Sequence, residues 1–80
     1  MDIKKVIKDG ILEHMKEFKV STYELRGMKM FGLSHDTIRK LTQVDSYEPN
    51  ALTCKKALDH LGYTYKYSVS KGFTSLEKTI

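Results

Sequence analysis

The side chains best suited to chemistry lie close together within residues 33–41 of the chain. Five polar side chains there combine cations, donors and acceptors: His35, Asp36, Thr37, Arg39 and Lys40. Lysine and arginine can donate to guanine in the DNA major groove, and an aspartate can accept from the amino group of cytosine. An aspartate also suits the first turn of a helix for its charge alone. The group indicates a surface that could read nucleic-acid bases, with a purely structural role for Asp36 and His35 left open.

These side chains need a helix with one buried side to hold them outward. Ser34 carries a hydroxyl that can cap a helix N-terminus, so a helix is predicted over residues 34–41. Its buried side is formed by three aliphatic residues at helical spacing: Leu33, Ile38 and Leu41. The polar and charged side chains between them are then expected to point to solvent.

Another predicted helix precedes this one. Ser21 and Glu24 have the spacing of a capping box, in which a hydroxyl and a carboxylate satisfy the first free backbone N–H groups. The helix that begins there should run to about Met30 or Phe31 and end at Gly32, because glycine readily adopts the left-handed conformation of a helix C-terminus. The sequence therefore predicts a helix-turn-helix, whose second helix can fit the major groove.

Three further segments surround this motif. Apolar residues at spacings of three and four predict amphipathic helices over residues 2–18 and 50–61, the latter ending at Gly62. Residues 63–69 alternate between aromatic or apolar and polar side chains, which is the period of a strand. An isolated strand has no hydrogen-bonding partner, so either this interpretation is wrong or the strand pairs outside the monomer. Residues 71–80 have no pattern that predicts an element.

Length and composition allow one small domain. The 80 residues can bury only a modest core, and the net charge of +4 is compatible with a polyanionic partner without requiring one. The single cysteine, Cys54, excludes an intrachain disulfide. No apolar run approaches the length of about 20 residues that a membrane helix needs, and no secretory signal is recognisable. We therefore expect a cytoplasmic protein that does not associate with membranes.

The residues typical of catalysis or metal binding are not grouped in the sequence. The three histidines and the cysteine fall on separate predicted elements, so no metal site is expected. Glycine-rich phosphate loops and nucleophile elbows are not found either. We expect no enzyme activity and no cofactor.

Two groups of residues carry a family resemblance. Gly32-Leu33-Ser34 is followed by Ile38 and Leu41, and Pro49-Asn50 is followed by Thr53 and Leu61-Gly62. With these residues, positions 3–62 resemble the Cro/C1-type (XRE) family of helix-turn-helix DNA-binding proteins. The resemblance implies a mostly α fold: a compact, lambda-repressor-like domain of four helices over residues 1–70, with a C-terminal β-strand and a tail over residues 71–80.

The same resemblance assigns roles to single residues. It places base reading on His35, Asp36, Thr37 and Lys40, with Arg39 reaching either a base or the DNA backbone. Phosphate contacts are expected around the starts of the two helices of the motif, where backbone N–H groups attract anions. The residues expected at these starts are Ser21, Thr22 and Ser34, and Lys29 and Tyr47 are added because they are expected to lie nearby.

The strand over residues 63–69 has two interpretations. Antitoxin-like members of the resembled family use a strand at this place to pair with a second copy. That use implies a dimer interface formed by Tyr63, Tyr65, Tyr67 and Val69. A two-fold ribbon would satisfy the backbone groups at the strand edge and set two recognition helices about 34 Å apart, as a palindromic operator requires. The alternative is a platform of tyrosines on which nucleic-acid bases stack.

The sequence thus predicts a homodimer that binds a palindromic site in double-stranded DNA and regulates transcription. The resemblance suggests a repressor in a phage or mobile-element setting. An alternative is a protein-interaction module on the same fold, such as an antitoxin-like protein or a phage-encoded inhibitor of a host nuclease or polymerase. RNA binding through the basic face and the tyrosines is a third alternative.

Overall fold

The computed structural model describes residues 2–19 and 32–79. These residues form three helices and two strands: α1 (Ile3–Phe18), α2 (His35–Gln43), α3 (Ala51–His60), β1 (Tyr63–Ser68) and β2 (Gly72–Lys78). The helices predicted over residues 2–18, 34–41 and 50–61 are confirmed, each to within two residues at either end. None of the three helices is long and apolar enough to cross a membrane.

Each of these helices begins at a side chain that caps it. The side-chain oxygens of Asp2, Ser34 and Asn50 accept the backbone N–H three residues further on, at 3.0, 3.2 and 2.8 Å. The cap at Ser34 confirms the start predicted for α2. Two residues earlier, Gly32 has a φ of 61°, the left-handed conformation predicted for the turn. Short polar side chains therefore set where the helices start.

The core lies between the three helices. Among the described residues, seven apolar side chains are buried: Ile7, Ile11, Ile38, Leu41, Cys54, Ala57 and Leu58. The helices α1 and α3 approach closely at Gly10, where an added Cβ would lie only 2.7 Å from Cδ1 of Leu61. The amphipathic patterns in the sequence thus identify the buried faces correctly, and a glycine permits the contact between the two helices.

The strand predicted over residues 63–69 is confirmed as β1, but its expected partner is wrong. β1 pairs antiparallel with β2 of the same chain, from Tyr63 opposite Lys78 to Ser68 opposite Gly72. The predicted fold class is therefore wrong as well. In place of a compact four-helix, lambda-repressor-like domain with a strand that pairs across a homodimer, the described residues form three helices and a two-stranded sheet. The helix predicted over residues 21–31 lies outside the described residues.

A bulge explains why β2 carries no strand pattern. Phe73 and Leu76 are three residues apart, a spacing that would put them on opposite faces of a regular strand. The register shifts between Lys66 and Tyr67, so that β2 has one extra residue, Thr74, at this point. Phe73 and Leu76 therefore both pack against the core. The hairpin covers the core on the side of α3.

Candidate nucleic-acid interface

The helix α2 lies at the surface with one side in the core. Ile38 and Leu41 have exposed fractions of 1% and 2%, which confirms the inner side predicted for this helix. Thr42 is buried next to them, and its hydroxyl donates to the backbone carbonyl oxygen of Ile38 at 2.9 Å. Leu33 is half-buried and packs against the same core. On the other side of α2, Asp36, Arg39 and Lys40 have 60%, 40% and 41% of their side-chain surface exposed.

Three charged residues on that outer side form one ion-paired group, here called the α2 charge triad: Asp36, Arg39 and Lys40. Arg39 donates from Nη2 to Oδ1 of Asp36 at 3.0 Å, and Nζ of Lys40 lies 3.1 Å from Oδ2. The hydrogen bonds from Arg39 and then from Lys40 hold the pKa of Asp36 below its ordinary value. Asp36 therefore stays ionised, and the triad carries one net positive charge.

The residues at the start of α2 are engaged with each other. Oγ of Ser34 accepts the backbone N–H of Thr37 and lies 3.0 Å from its hydroxyl oxygen. Both hydroxyls thus belong to the helix cap, and a DNA base or phosphate would have to share these bonds. His35 and Thr37 are half-buried, as Arg39 and Lys40 are. Of these predicted base-reading side chains, that of Thr37 is engaged in the helix cap.

Two of the five predicted phosphate contacts, Ser34 and Tyr47, are described by the structure, whereas Ser21, Thr22 and Lys29 lie outside the described residues. Nζ of Lys40 lies 5.7 Å from the centre of the Tyr47 ring, within the range of a cation–π contact. Tyr47 also packs against the core. The structure thus brings Tyr47 beside the α2 charge triad, and its ring helps to position Lys40.

The loop between α2 and α3 is tied to α1 by charged residues. Lys4 donates to the backbone carbonyl of Asp45, and its Nζ lies 3.6 Å from the carboxylate of Glu48. Lys8 lies 3.5 Å from the carboxylate of Asp45. The acidic side chains of this loop are therefore offset by lysines of α1, and the loop is held in place beside α2.

A second cationic region lies on α3 and the hairpin, and none of its residues was among the predicted DNA contacts. Residues 51–79 hold five lysines against two carboxylates, a net charge of +3, whereas residues 32–50 hold two cations against three carboxylates, a net charge of −1. The lysines are Lys55, Lys56, Lys66, Lys71 and Lys78. Counting charge along the sequence by segment would have revealed this excess.

The tyrosines predicted as a dimer interface are used within the chain. Tyr63 and Tyr65 are half-buried and pack against the core. The centre of the Tyr67 ring lies 4.9 Å from that of the Phe73 ring and 4.4 Å from Nζ of Lys55. Val69, the fourth predicted interface residue, lies in the hairpin turn and is 94% exposed, so it packs less within the chain than the three tyrosines.

His14, His60 and Cys54 lie on other helices than the triad. The rings of His14 and His60 are 6.0 Å apart, beside a cavity of about 310 Å³ between α1, the end of α3 and the hairpin. Partial removal from water, and then the charge of His14, lowers the pKa of His60. Burial, with a smaller contribution from Glu48, raises the pKa of the Cys54 thiol. In residues 2–19 and 32–79, no three His, Cys, Asp or Glu side chains are placed to hold a metal ion.

No protein-family model, curated protein or solved structure matches the chain. The resemblance to the XRE family therefore stays a prediction from the sequence. Of the predicted base-reading residues, Asp36, Arg39 and Lys40 are brought together at the surface, while Thr37 is held in the helix cap.

Proposed function

We propose that the chain binds double-stranded DNA and selects its site by sequence, with the outer side of α2 in the major groove. The observation that carries the proposal is the α2 charge triad. An aspartate without a partner would repel phosphates, but Asp36 is paired with both neighbouring cations. The surface that meets DNA is then cationic, and its aspartate orients the two side chains that donate hydrogen bonds.

The triad leaves donors available for bases. Arg39 has five N–H donors, of which the bond to Asp36 uses one, so the guanidinium can still donate to O6 and N7 of guanine. Lys40 has three donors and can reach a neighbouring base or phosphate. The side chains of Arg39 and Lys40 are 40% and 41% exposed. Since both are already held by Asp36, they lose less conformational entropy on binding than unrestrained side chains would.

We further propose that the protein acts as a cytoplasmic regulator of transcription, as a repressor and without enzyme activity. A homodimer was expected because β1 lacked a partner in the monomer, but β1 pairs with β2 of the same chain. In the sheet of the described residues, β2 takes one edge of β1, so a ribbon between two copies would have to form along the other edge of β1. The α2 surface can read a single half-site without a dimer.

Equilibrium binding of variants to a preferred duplex and to random duplexes tests the proposal. Arg39→Ala and Lys40→Ala should each lower the preference for the chosen sequence by about 5- to 150-fold, the range for one lost base contact. Asp36→Asn should bind random duplexes more tightly, because it removes a negative charge, while its preference falls. Lys16→Ala, an exposed lysine in the last turn of α1, serves as the control.

An unchanged preference in Arg39→Ala and Lys40→Ala would refute base reading by α2. A wild-type protein that shows no preference among duplexes at physiological salt would contradict the whole proposal. The protein-interaction module predicted as the alternative would then become the leading hypothesis.

A further inference from the structure

We propose that the β1–β2 hairpin makes a second contact with the same DNA, through Lys66 and Lys71 on the phosphodiester backbone. This inference rests on the proposed binding of duplex DNA by α2. It assigns a role to the cationic region of residues 51–79, which the reading surface on α2 does not use.

Lys66 and Lys71 differ in their surroundings from the five ion-paired lysine and arginine residues of α1 and α2. Within residues 2–19 and 32–79, the lysine and arginine side chains paired with carboxylates are Lys4, Lys5, Lys8, Arg39 and Lys40. Lys66 and Lys71 are exposed, and no described carboxylate lies within 4.0 Å of either side chain. Their charges are therefore available to neutralise phosphates, whereas the charges of the five ion-paired cations are already partly neutralised.

The position of the two lysines suits a contact with DNA. Lys66 lies on the outer, polar face of β1 opposite Ser75, and Lys71 lies in the turn before Gly72. The residue directly opposite Lys66 is a serine, and Glu77 lies diagonally across the strands, beyond the 4.0 Å of an ion pair. A lysine ammonium acts as a point charge with three donors, which suits phosphate oxygens better than the fixed pattern of a base edge.

The hairpin turn lies on the side of the loop that follows α2. Tyr67 and Phe73, close to the turn, line a cavity of about 280 Å³ together with Lys4, Glu48 and Pro49. The longest extent of the molecule is 36 Å, about one helical turn of B-DNA (~34 Å). A duplex of about one turn is therefore as long as the molecule, and the proposed contact requires that the outer side of α2 and the hairpin lysines face the same side of it.

The outer side of α2 and the hairpin would have different roles in DNA recognition. Base contacts from α2 choose the sequence, while phosphate contacts from the hairpin add affinity and hold the protein in register without reading bases. Changing the hairpin lysines should therefore weaken binding to all duplexes equally. This equal weakening distinguishes the hairpin contact from the contacts of α2.

The test compares the salt dependence of binding for two double variants of the full chain. Lys66→Gln with Lys71→Gln removes the proposed contacts. Lys16→Gln with Lys19→Gln removes the same charge near the far end of α1, about 20 Å along the helix from Ile3. Affinity for one preferred and one random duplex is measured by fluorescence anisotropy between about 0.05 and 0.2 M salt. Melting temperatures check that each variant is folded.

We expect the hairpin variant to lose about 1.8 from the slope of log affinity against log salt, since each phosphate contact contributes about 0.9. That change corresponds to about 60-fold weaker binding at about 0.1 M salt, equal for both duplexes. The control should keep the wild-type slope, and Lys66→Arg with Lys71→Arg should keep it too. A hairpin variant with the wild-type slope, or a control with the same loss, would overturn the inference.

The outcomes separate this inference from the proposed function. If the wild-type protein binds duplexes without preference and the hairpin variant still lowers the slope, base reading by α2 fails and the hairpin contact stands. If the wild-type protein prefers one sequence and the hairpin variant keeps its slope, only the hairpin contact fails. A wild-type protein that binds no duplex at about 0.05 M salt, or binds an RNA duplex more tightly, overturns both.

Discussion

Removal of the Ser34 hydroxyl should destabilise the protein by a measurable and limited amount. Oγ of Ser34 accepts the N–H of Thr37, one of the N–H groups in the first turn of α2 that have no intrahelical partner, and also bonds to the Thr37 hydroxyl. Alanine at an N-cap position costs about 1 kcal/mol, within a range of about 0.5–2. For 80 residues the entropy of unfolding is about 170 cal/mol/K, so 1 kcal/mol lowers the Tm by about 6 °C.

Thermal unfolding followed by far-UV circular dichroism tests this value. Ser34→Asn should restore most of the wild-type Tm, because asparagine caps helices as well as serine does. Asn50→Ala, which removes the 2.8 Å cap of α3, should lower the Tm by at least as much as Ser34→Ala. If Ser34→Ala keeps the wild-type Tm, or Ser34→Asn fails to recover it, the cap does not stabilise α2 in the way described.

Three further predictions concern the core and the titratable groups. Leu58→Ala, at a fully buried position, should lower the free energy of unfolding measured in urea by about 2–5 kcal/mol, whereas Val69→Ala should lower it by less than about 0.5. Similar losses in the two variants would contradict the assignment of Leu58 to the core. Because the pKa of His60 is lower in the folded than in the unfolded chain, protonation favours unfolding, and the Tm should fall as pH drops below about 6.5. His60→Gln should reduce this fall of the Tm more than His35→Gln. Equal dependence of the Tm on pH in the two variants would contradict the role given to His60. Cys54 should react with thiol reagents only on unfolding, and fast labelling of the native protein would be the contrary result.

The helices could be predicted because their signals are local. A cap such as Ser34 and an apolar stripe such as that of Ile38 and Leu41 lie within a few residues of each other. The left-handed turn at Gly32 follows from the conformational freedom of glycine alone. These features depend little on the rest of the chain, so the sequence contains them in full.

The hairpin and the charge pairs could be predicted only in part. The bulge at Thr74 breaks the alternation of β2, so Phe73 and Leu76 do not have the spacing of a strand. Without β2, the strand β1 had no partner in the monomer, which led to the prediction of a dimer ribbon. The spacing of Asp36 with Arg39 and Lys40 permits an ion pair, but only the side-chain conformations decide that both cations turn toward Asp36.

Selection of bound sequences from a random pool of duplexes tests the central claim most directly. The purified full chain is mixed with the pool at about 0.15 M salt, and bound duplexes are recovered and sequenced over several rounds. We expect enrichment of one short motif containing guanine, the base that Arg39 and Lys40 can recognise, and loss of that motif with Arg39→Ala. Recovery of duplexes with no common motif, or the same motif from Arg39→Ala and Lys40→Ala, would contradict it.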